Sequence, residues 1–93
     1  MYKHMIPRIS WFSKIDYLMW NFLEDHDIVF SPKVLALNID YDRQYVGRRL
    51  RAMVDAGLIR QHDRGVYELS DLGRNLLAGE LSVEEVEALD PDR

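Results

Sequence analysis

Hydrophobic residues recur at helical spacing through most of the chain, and the first such stretch begins near residue 14. Its apolar positions follow the i, i+3, i+4, i+7 spacing of a helix that turns one face toward a core. They are Ile15, Leu18, Met19 and Phe22. Ser13 and Asp16 have the spacing of a capping box at its start, so the pattern predicts a helix from Lys14 to about Asp25.

Two further helices are predicted on either side of a short polar stretch. The first has Ser31 as its N-cap and Pro32 at its first position, where no N–H is needed. The second begins at Asp42, or at Asp40, and ends at Gly57, which can take the left-handed conformation after a helix. Its apolar stripe is formed by Val46, Leu50, Met53 and Val54. Two short helices joined by a tight turn predict a helix-turn-helix.

The stretch after the third helix changes from helical to strand-like spacing. Residues 58–62 and 66–69 flank a turn that contains Gly65, as in a short β-hairpin. Ser70 then caps another helix. Because a hairpin in this position is the wing of a winged helix, the pattern predicts a mainly α, single-domain winged helix-turn-helix fold with a small β-hairpin.

Length bounds the organisation of the chain. The 93 residues suffice for one compact domain and leave little room for a second. We expect an N-terminal arm at residues 1–12 and a winged helix-turn-helix domain at residues 13–81. Residues 82–93, which begin with a capping box of Ser82 and Glu85, are expected to form an acidic C-terminal tail or a short helix.

Composition excludes several classes of protein. Cysteine is absent, so neither a disulfide framework nor a thiolate site is possible. His4, His26 and His62 are too scattered to predict a metal site, and no phosphate-binding loop or catalytic signature predicts an enzyme or a cofactor. No window approaches the roughly 18 apolar residues of a membrane span, so we expect a cytoplasmic protein with no membrane partner.

Charge is distributed unevenly along the chain. The net charge of −4 taken alone argues against nucleic acid, because DNA affinity usually rests on neutralisation of phosphates by basic residues. Residues 40–65, however, hold six arginines and four acids, a net charge of +2, and the other residues therefore carry −6. Positive charge is thus concentrated on the predicted third helix and the wing.

The third helix and the wing carry the candidate DNA contacts. They are Arg43, Gln44, Tyr45, Arg48, Arg49 and Arg51 on the helix, and Arg60, His62 and Arg64 on the wing. With the apolar stripe turned inward, Gln44, Arg48 and Arg51 fall near the opposite face. Arg48 and Gln44 suit the edges of guanine and adenine, and Arg43 lies in the first turn, where such helices touch bases. Arg49 and Arg51 suit phosphates.

Several aromatic side chains lie outside the apolar faces that the predicted helices turn toward the core. Tyr17 and Trp20 project from other faces of the first helix, and Trp11 precedes it. Either the N-terminal arm folds over this helix and covers the aromatics, or they form the interface of a homodimer, where Trp and Tyr are enriched. The residues expected at a dimer interface are Trp11, Tyr17, Trp20, Val83, Val86 and Leu89.

The acidic tail also leaves alternatives open. Residues 80–93 hold six acids and one arginine. The tail either forms a short dimerising helix, or frays in solvent because like charges favour solvation, or folds against the arginine-rich helix and weakens binding to nonspecific DNA.

Four stretches of the sequence support a resemblance to a known family. They are SPKVLA, DYDRQYV, AGLI and GVYELSDLGRNLL. On these motifs the chain, from about Ile15 to Leu81, resembles the haloarchaeal phage phi-H repressor-like winged-helix family, within the wider MarR-like regulators. The resemblance implies a transcriptional repressor from a salt-loving archaeon or its virus. Two positions depart from the family pattern, since Asp42 replaces a serine cap and Gly47 lies inside the helix.

These expectations converge on one function and leave a rival. We expect a dimeric, sequence-specific repressor of double-stranded DNA that inserts residues 43–52 into the major groove and lays its wing on the flanking backbone. The rival is a winged-helix protein interaction module, in which the acidic surface, not the arginine face, recognises a protein partner. For the arginines themselves, the alternative is a solvated face that pairs with Asp42 and Asp55. No feature predicts an effector pocket, so a small-molecule effector stays unassigned.

Overall fold

The computed structural model describes residues 6–63 and 65–93, so expectations placed on residues 1–5 and on Arg64 lie outside the described residues. Its elements are α1 (Lys14–Asp25), α2 (Pro32–Ile39), α3 (Arg43–Asp55), β1 (Ile59–Gln61), β2 (Tyr67–Leu69), α4 (Asp71–Leu77) and α5 (Val83–Glu87). The described part of the chain is mainly helical with an antiparallel hairpin, which confirms the predicted winged helix-turn-helix class. None of its helices is both long and apolar enough to cross a bilayer.

Polar side chains begin α2 and α3 where the sequence predicts them. The Ser31 hydroxyl accepts a hydrogen bond from the Val34 N–H at 3.2 Å, and the Asp42 carboxylate accepts one from the Tyr45 N–H at 3.0 Å. Such caps satisfy N–H groups that have no partner within the helix, and each contributes about 1 kcal/mol. The Asp42 cap therefore fixes the start of α3 at Arg43.

Two residues in the left-handed conformation bound α3. Asp40 takes φ of 58° in the turn after α2, a conformation that Asp adopts more readily than most residues. Gly57 takes φ of 82° after α3, and the Leu58 N–H donates to the Met53 carbonyl at 3.0 Å. This end follows the Schellman pattern and turns the chain from α3 directly into β1.

β1 and β2 form the wing, with Ile59 opposite Leu69 in the antiparallel pair. Phe30, in the loop between α1 and α2, joins the hairpin through two backbone hydrogen bonds with Tyr67, of 2.8 and 2.9 Å. The base of the wing is thereby tied to the helix-turn-helix, a link that the sequence pattern does not predict.

The buried face of α1 is rotated from the predicted stripe. Leu18 and Phe22 are only half-buried, whereas Trp20 and Leu23 are fully buried. The N-terminal arm accounts for the difference, because Phe12 stacks on Trp20 with ring centroids 6.2 Å apart. An arm folded over α1 is therefore the arrangement that covers Trp20.

Helix α5 packs against the same arm. Val86 is fully buried, and the Trp11 indole N–H donates to the Val86 carbonyl at 2.9 Å. Ser10 donates to the Glu87 carboxylate from its backbone N–H, at 2.8 Å, and from its hydroxyl. The N-terminal arm and the C-terminal helix consequently form one packed unit beside α1.

The expected dimer surface needs correction at two residues. Trp20 and Val86 are both 0% exposed in the single chain, so neither side chain can reach a second copy unless the core opens. Both are held by contacts within the chain that periodicity alone does not reveal. The members of the expected surface that keep accessible area are Trp11, Tyr17, Val83 and Leu89.

Candidate nucleic-acid interface

Helix α3 has two chemically opposed faces. Its buried face is made of Val46, Leu50 and Met53, each 0% exposed. The exposed side chains are Arg43, Gln44, Arg48, Arg51 and Asp55. The apolar face anchors the helix to the core, so the polar face projects from the surface in the orientation that the sequence predicts.

Two arginines of the exposed face have loose partners within the chain. The Arg48 guanidinium lies 5.5 Å from the centroid of the half-buried Tyr45 ring. Arg51 lies 3.5 Å from Asp55, in a pair whose side chains are 77% and 53% exposed. Exposed contacts of either kind contribute at most about 1 kcal/mol. Both guanidiniums can therefore exchange these partners for those of a ligand.

Arg49, expected to contact phosphate, is turned into the structure instead. Its Nε and Nη2 atoms donate to the Asp16 carboxylate at 3.0 and 2.6 Å, and Nη2 also donates to the Trp11 carbonyl at 3.2 Å. Asp16 is 0% exposed and accepts a further hydrogen bond from the Ser13 N–H at 2.8 Å. Arg49 therefore ties α3 to α1 and the arm, and it is removed from the set of candidate DNA contacts.

The side chains around Arg49 raise its pKa. The largest cause is the hydrogen bond with Asp16, against which burial acts in the opposite direction. A guanidinium is in any case charged at every physiological pH, so Arg49 places a permanent positive charge beside the buried Asp16 carboxyl group.

The exposed basic side chains of the wing lie beside an acid. Arg60 and His62 are exposed, and Arg60 stands directly opposite Glu68 in the hairpin. The His62 Nε2 atom lies 2.7 Å from a Glu68 carboxylate oxygen. Glu68 thus reduces the positive potential of the described part of the wing, while the third expected wing contact, Arg64, lies outside the described residues.

Lys33 is a cation that the sequence analysis passes over. It is exposed in the first turn of α2, directly after the Ser31 cap and Pro32. In helix-turn-helix proteins the helix before the recognition helix crosses the DNA backbone, which makes a cation at this place a candidate phosphate contact. The sequence Ser-Pro-Lys at the start of α2 is the feature from which this contact could have been predicted.

The C-terminal residues lie beside the recognition face. Pro91 and Asp92 line a groove of about 370 Å³ together with residues of α3, among them Arg48, Arg51 and Asp55. The tail forms the short helix α5, which packs against the N-terminal arm, and the turn that follows α5 borders the arginine-rich helix.

The exposed groups of α3 suit the edges of base pairs. An α-helix fits the major groove of B-DNA, where a guanidinium binds O6 and N7 of guanine and a carboxamide binds N6 and N7 of adenine. Arg48 and Gln44 carry these two groups. Within residues 6–63 and 65–93, no group of three or more His, Asp or Glu residues is placed to hold a metal ion. The helix-turn-helix, the cationic third helix and the hairpin define a winged helix-turn-helix protein.

Comparison with known proteins specifies the family. The chain belongs to the winged helix-turn-helix phage repressor family, whose model matches residues 5–89. It is 29% identical over 87 residues to a repressor protein of Halobacterium phage phiH, an alignment that covers 89% of this chain and 98% of that protein. No solved structure matches the chain. The family that the four sequence motifs indicate is thereby confirmed, and it is a regulatory, DNA-binding family.

Proposed function

We propose that this chain is a transcriptional repressor that binds an operator in duplex DNA by placing α3 in the major groove. The observation that carries the proposal is the exposed face of α3, where Arg48 and Gln44 stand opposite a fully buried apolar face. Base contacts then come from Arg43, Gln44 and Arg48, while Arg51 and Lys33 bind phosphates. Repression follows from occlusion of the promoter, and the site of action is the cytoplasm.

The wing adds contacts at the flank of the site. Arg60 and His62 are exposed on the hairpin that directly follows α3, so they lie within reach of the backbone beside the groove. Because Glu68 lies close to both, we expect them to contribute less to affinity than the arginines of α3.

A homodimer is the proposed binding form. One helix contacts only a few base pairs, whereas two related helices bind two half-sites and multiply the specificity. In a dimer on a palindromic operator, the two copies of α3 lie about 34 Å apart, one turn of the duplex. The accessible apolar residues of the expected interface, Trp11, Tyr17, Val83 and Leu89, are the proposed contacts between copies.

A fluorescence anisotropy titration tests the DNA-binding proposal. The probes are labelled fragments of the DNA upstream of the protein's own gene, with a scrambled duplex as competitor. We expect selective binding by the wild type, and a loss of about 1–3 kcal/mol of binding free energy in Arg48→Ala, the range for one bidentate base contact. Affinity should also fall as salt is added, because bound phosphates release counterions.

Arg74→Ala is the matched control. Arg74 lies on α4 and pairs with Asp27 at 3.1 Å, so its loss changes the net charge by the same amount without touching the face of α3. Equal effects of the two substitutions would show that only net charge matters. Absence of binding at every salt concentration would favour the protein interaction module instead.

Insertion of half a helical turn between half-sites should abolish cooperative binding by a dimer.

A further inference from the structure

The turn at residues 90–93 occupies one flank of the proposed recognition helix. Pro91 and Asp92 share a groove with Arg48, Arg51 and Asp55 of α3. The family model matches residues 5–89, so this turn lies beyond the region that the family shares with the chain. It places a carboxylate beside the guanidiniums that the proposed function assigns to DNA.

Several contacts hold the turn in this position. The preceding helix is anchored by the fully buried Val86, whose carbonyl accepts the Trp11 indole N–H. Within the turn, the Asp90 carboxylate accepts the Asp92 N–H at 2.9 Å, and the Arg93 N–H donates to the Asp90 carbonyl at 3.2 Å. The position of Asp92 is consequently set by a folded segment.

The charge of Asp92 acts on α3. The hydrogen bond with Asp16 contributes most to the raised pKa of Arg49, and the charges of Asp16 and Tyr45 contribute less. The charge of Asp92 adds a further contribution in the same direction. Arg48 and Arg51 border the same groove and are more exposed than Arg49. An anion in this place stabilises their positive charges in the free protein, as a DNA phosphate does in a complex.

We propose that the turn at residues 90–93 is an autoinhibitory contact, which competes with DNA phosphates for the guanidiniums of α3 and so weakens sequence-independent binding. The inference rests on the proposed function. When a recognition helix enters the major groove, phosphate rows run along both of its flanks, and the turn occupies one flank. Phosphates that approach there meet the Asp92 carboxylate, whatever the base sequence.

A pair of charge-matched variants tests the inference. Asp90→Asn with Asp92→Asn removes two negative charges from the turn, of which that of Asp92 borders the groove, and keeps the hydrogen-bond acceptor of residue 90. The control, Glu80→Gln with Glu84→Gln, removes two negative charges from exposed positions outside the groove-lining residues. Both double variants raise the net charge by two, so any difference between their DNA affinities is due to the positions of the removed charges.

The measurement is anisotropy of a labelled scrambled duplex at fixed salt, with circular dichroism to verify folding. Because these carboxylates lie beyond ion-pair distance from the guanidiniums, each changes affinity by about twofold to threefold in water, and we expect roughly a fivefold gain in the variant of the turn. The control should gain about twofold at most, because exposed charges at a distance are screened. Equal gains in the two variants would overturn the inference.

The outcomes separate the inference from the proposed function. Binding by the wild type that depends on Arg48, together with equal gains in the two variants, leaves the repressor proposal intact and removes the autoinhibitory contact. No DNA binding by the wild type or by either variant removes both. Binding that appears only when the two carboxylates of the turn are neutralised supports both.

Discussion

Replacement of Arg49 by alanine should destabilise the fold strongly, whereas replacement of the adjacent Arg48 should leave stability nearly unchanged and reduce DNA binding. Arg49 supplies two of the three hydrogen bonds that the structure gives to the buried carboxylate of Asp16. Arg48 is exposed, and its contact with the Tyr45 ring is of the weak, solvent-exposed kind.

The magnitude follows from the burial of Asp16. Removing one partner of a buried ion pair costs about 3–5 kcal/mol, because the other charge stays in a low-dielectric site without compensation. The Arg49 side chain keeps 21% exposure while that of Asp16 is 0% exposed, so the lower end, about 3 kcal/mol, applies. The total free energy of unfolding of a domain is about 5–15 kcal/mol, so this loss is a large part of it. At 4–8 °C per kcal/mol for a domain of this size, Tm should fall by at least about 12 °C.

The assay is chemical and thermal unfolding followed by circular dichroism on wild type, Arg48→Ala and Arg49→Ala. We expect Arg48→Ala to stay within about 0.5 kcal/mol of the wild type, as exposed substitutions usually do. A double variant, Asp16→Leu with Arg49→Met, should be more stable than Arg49→Ala, because no charge is then left buried. If Arg49→Ala keeps wild-type stability and loses DNA affinity, the phosphate contact is right and the structural role is wrong.

Three other substitutions test separate parts of the fold. Gly47→Ala should raise the free energy of unfolding by about 1 kcal/mol, since a Cβ there meets no atom within 4 Å and alanine favours the helix; a lower Tm would contradict this. Gly73→Ala should lower the free energy of unfolding by about 1–3 kcal/mol or more, because the new Cβ would lie 2.1 Å from the Leu58 carbonyl oxygen. A change below about 0.5 kcal/mol in a urea titration would show that the surrounding structure relaxes freely. Hydrogen bonds from Ser10 lower the pKa of Glu87 in the folded protein. The ionised Glu87 side chain therefore stabilises the fold above the ordinary glutamate pKa, and this stabilisation is lost as the pH falls through the lower pKa of the folded state. Glu87→Gln should therefore flatten the acid side of a Tm profile from about pH 6 to 3, and an unchanged profile would exclude this group.

Local signals predicted the elements well, and the reason is that each element begins and ends with residues that act on their own neighbours. The Ser31 hydroxyl and the Asp42 carboxylate cap the helices that directly follow them. Gly57 takes the left-handed conformation that ends α3 and starts the wing. None of these interactions needs a partner from elsewhere in the chain, so spacing alone finds them.

Interactions between distant segments were not predicted, and Arg48 with Arg49 shows why. The two residues have the same chemistry and differ by about 100° around the helix axis. Their roles diverge because Asp16, 33 positions earlier in the chain, lies under one of them. A signal was present in the sequence: Asp16 lies between apolar residues at the start of α1, and a buried acid requires a cation as partner.

The inward position of Arg49 also changes how an acidic chain can bind DNA. The excess of two positive charges over residues 40–65 includes Arg49, which Asp16 neutralises inside the structure. Asp55 lies close to Arg51, and Glu68 to both Arg60 and His62. Among the described residues, these acids lower the positive potential around Arg51 and Arg60 without preventing their contact with phosphates, so the sequence-independent part of the affinity is small. Under the proposed function, stable occupancy must come from base contacts by α3 and from the second copy in a dimer, both of which depend on the operator sequence. The proposed function then implies selectivity for the operator, because the chain lacks the general attraction to DNA that a basic surface would provide.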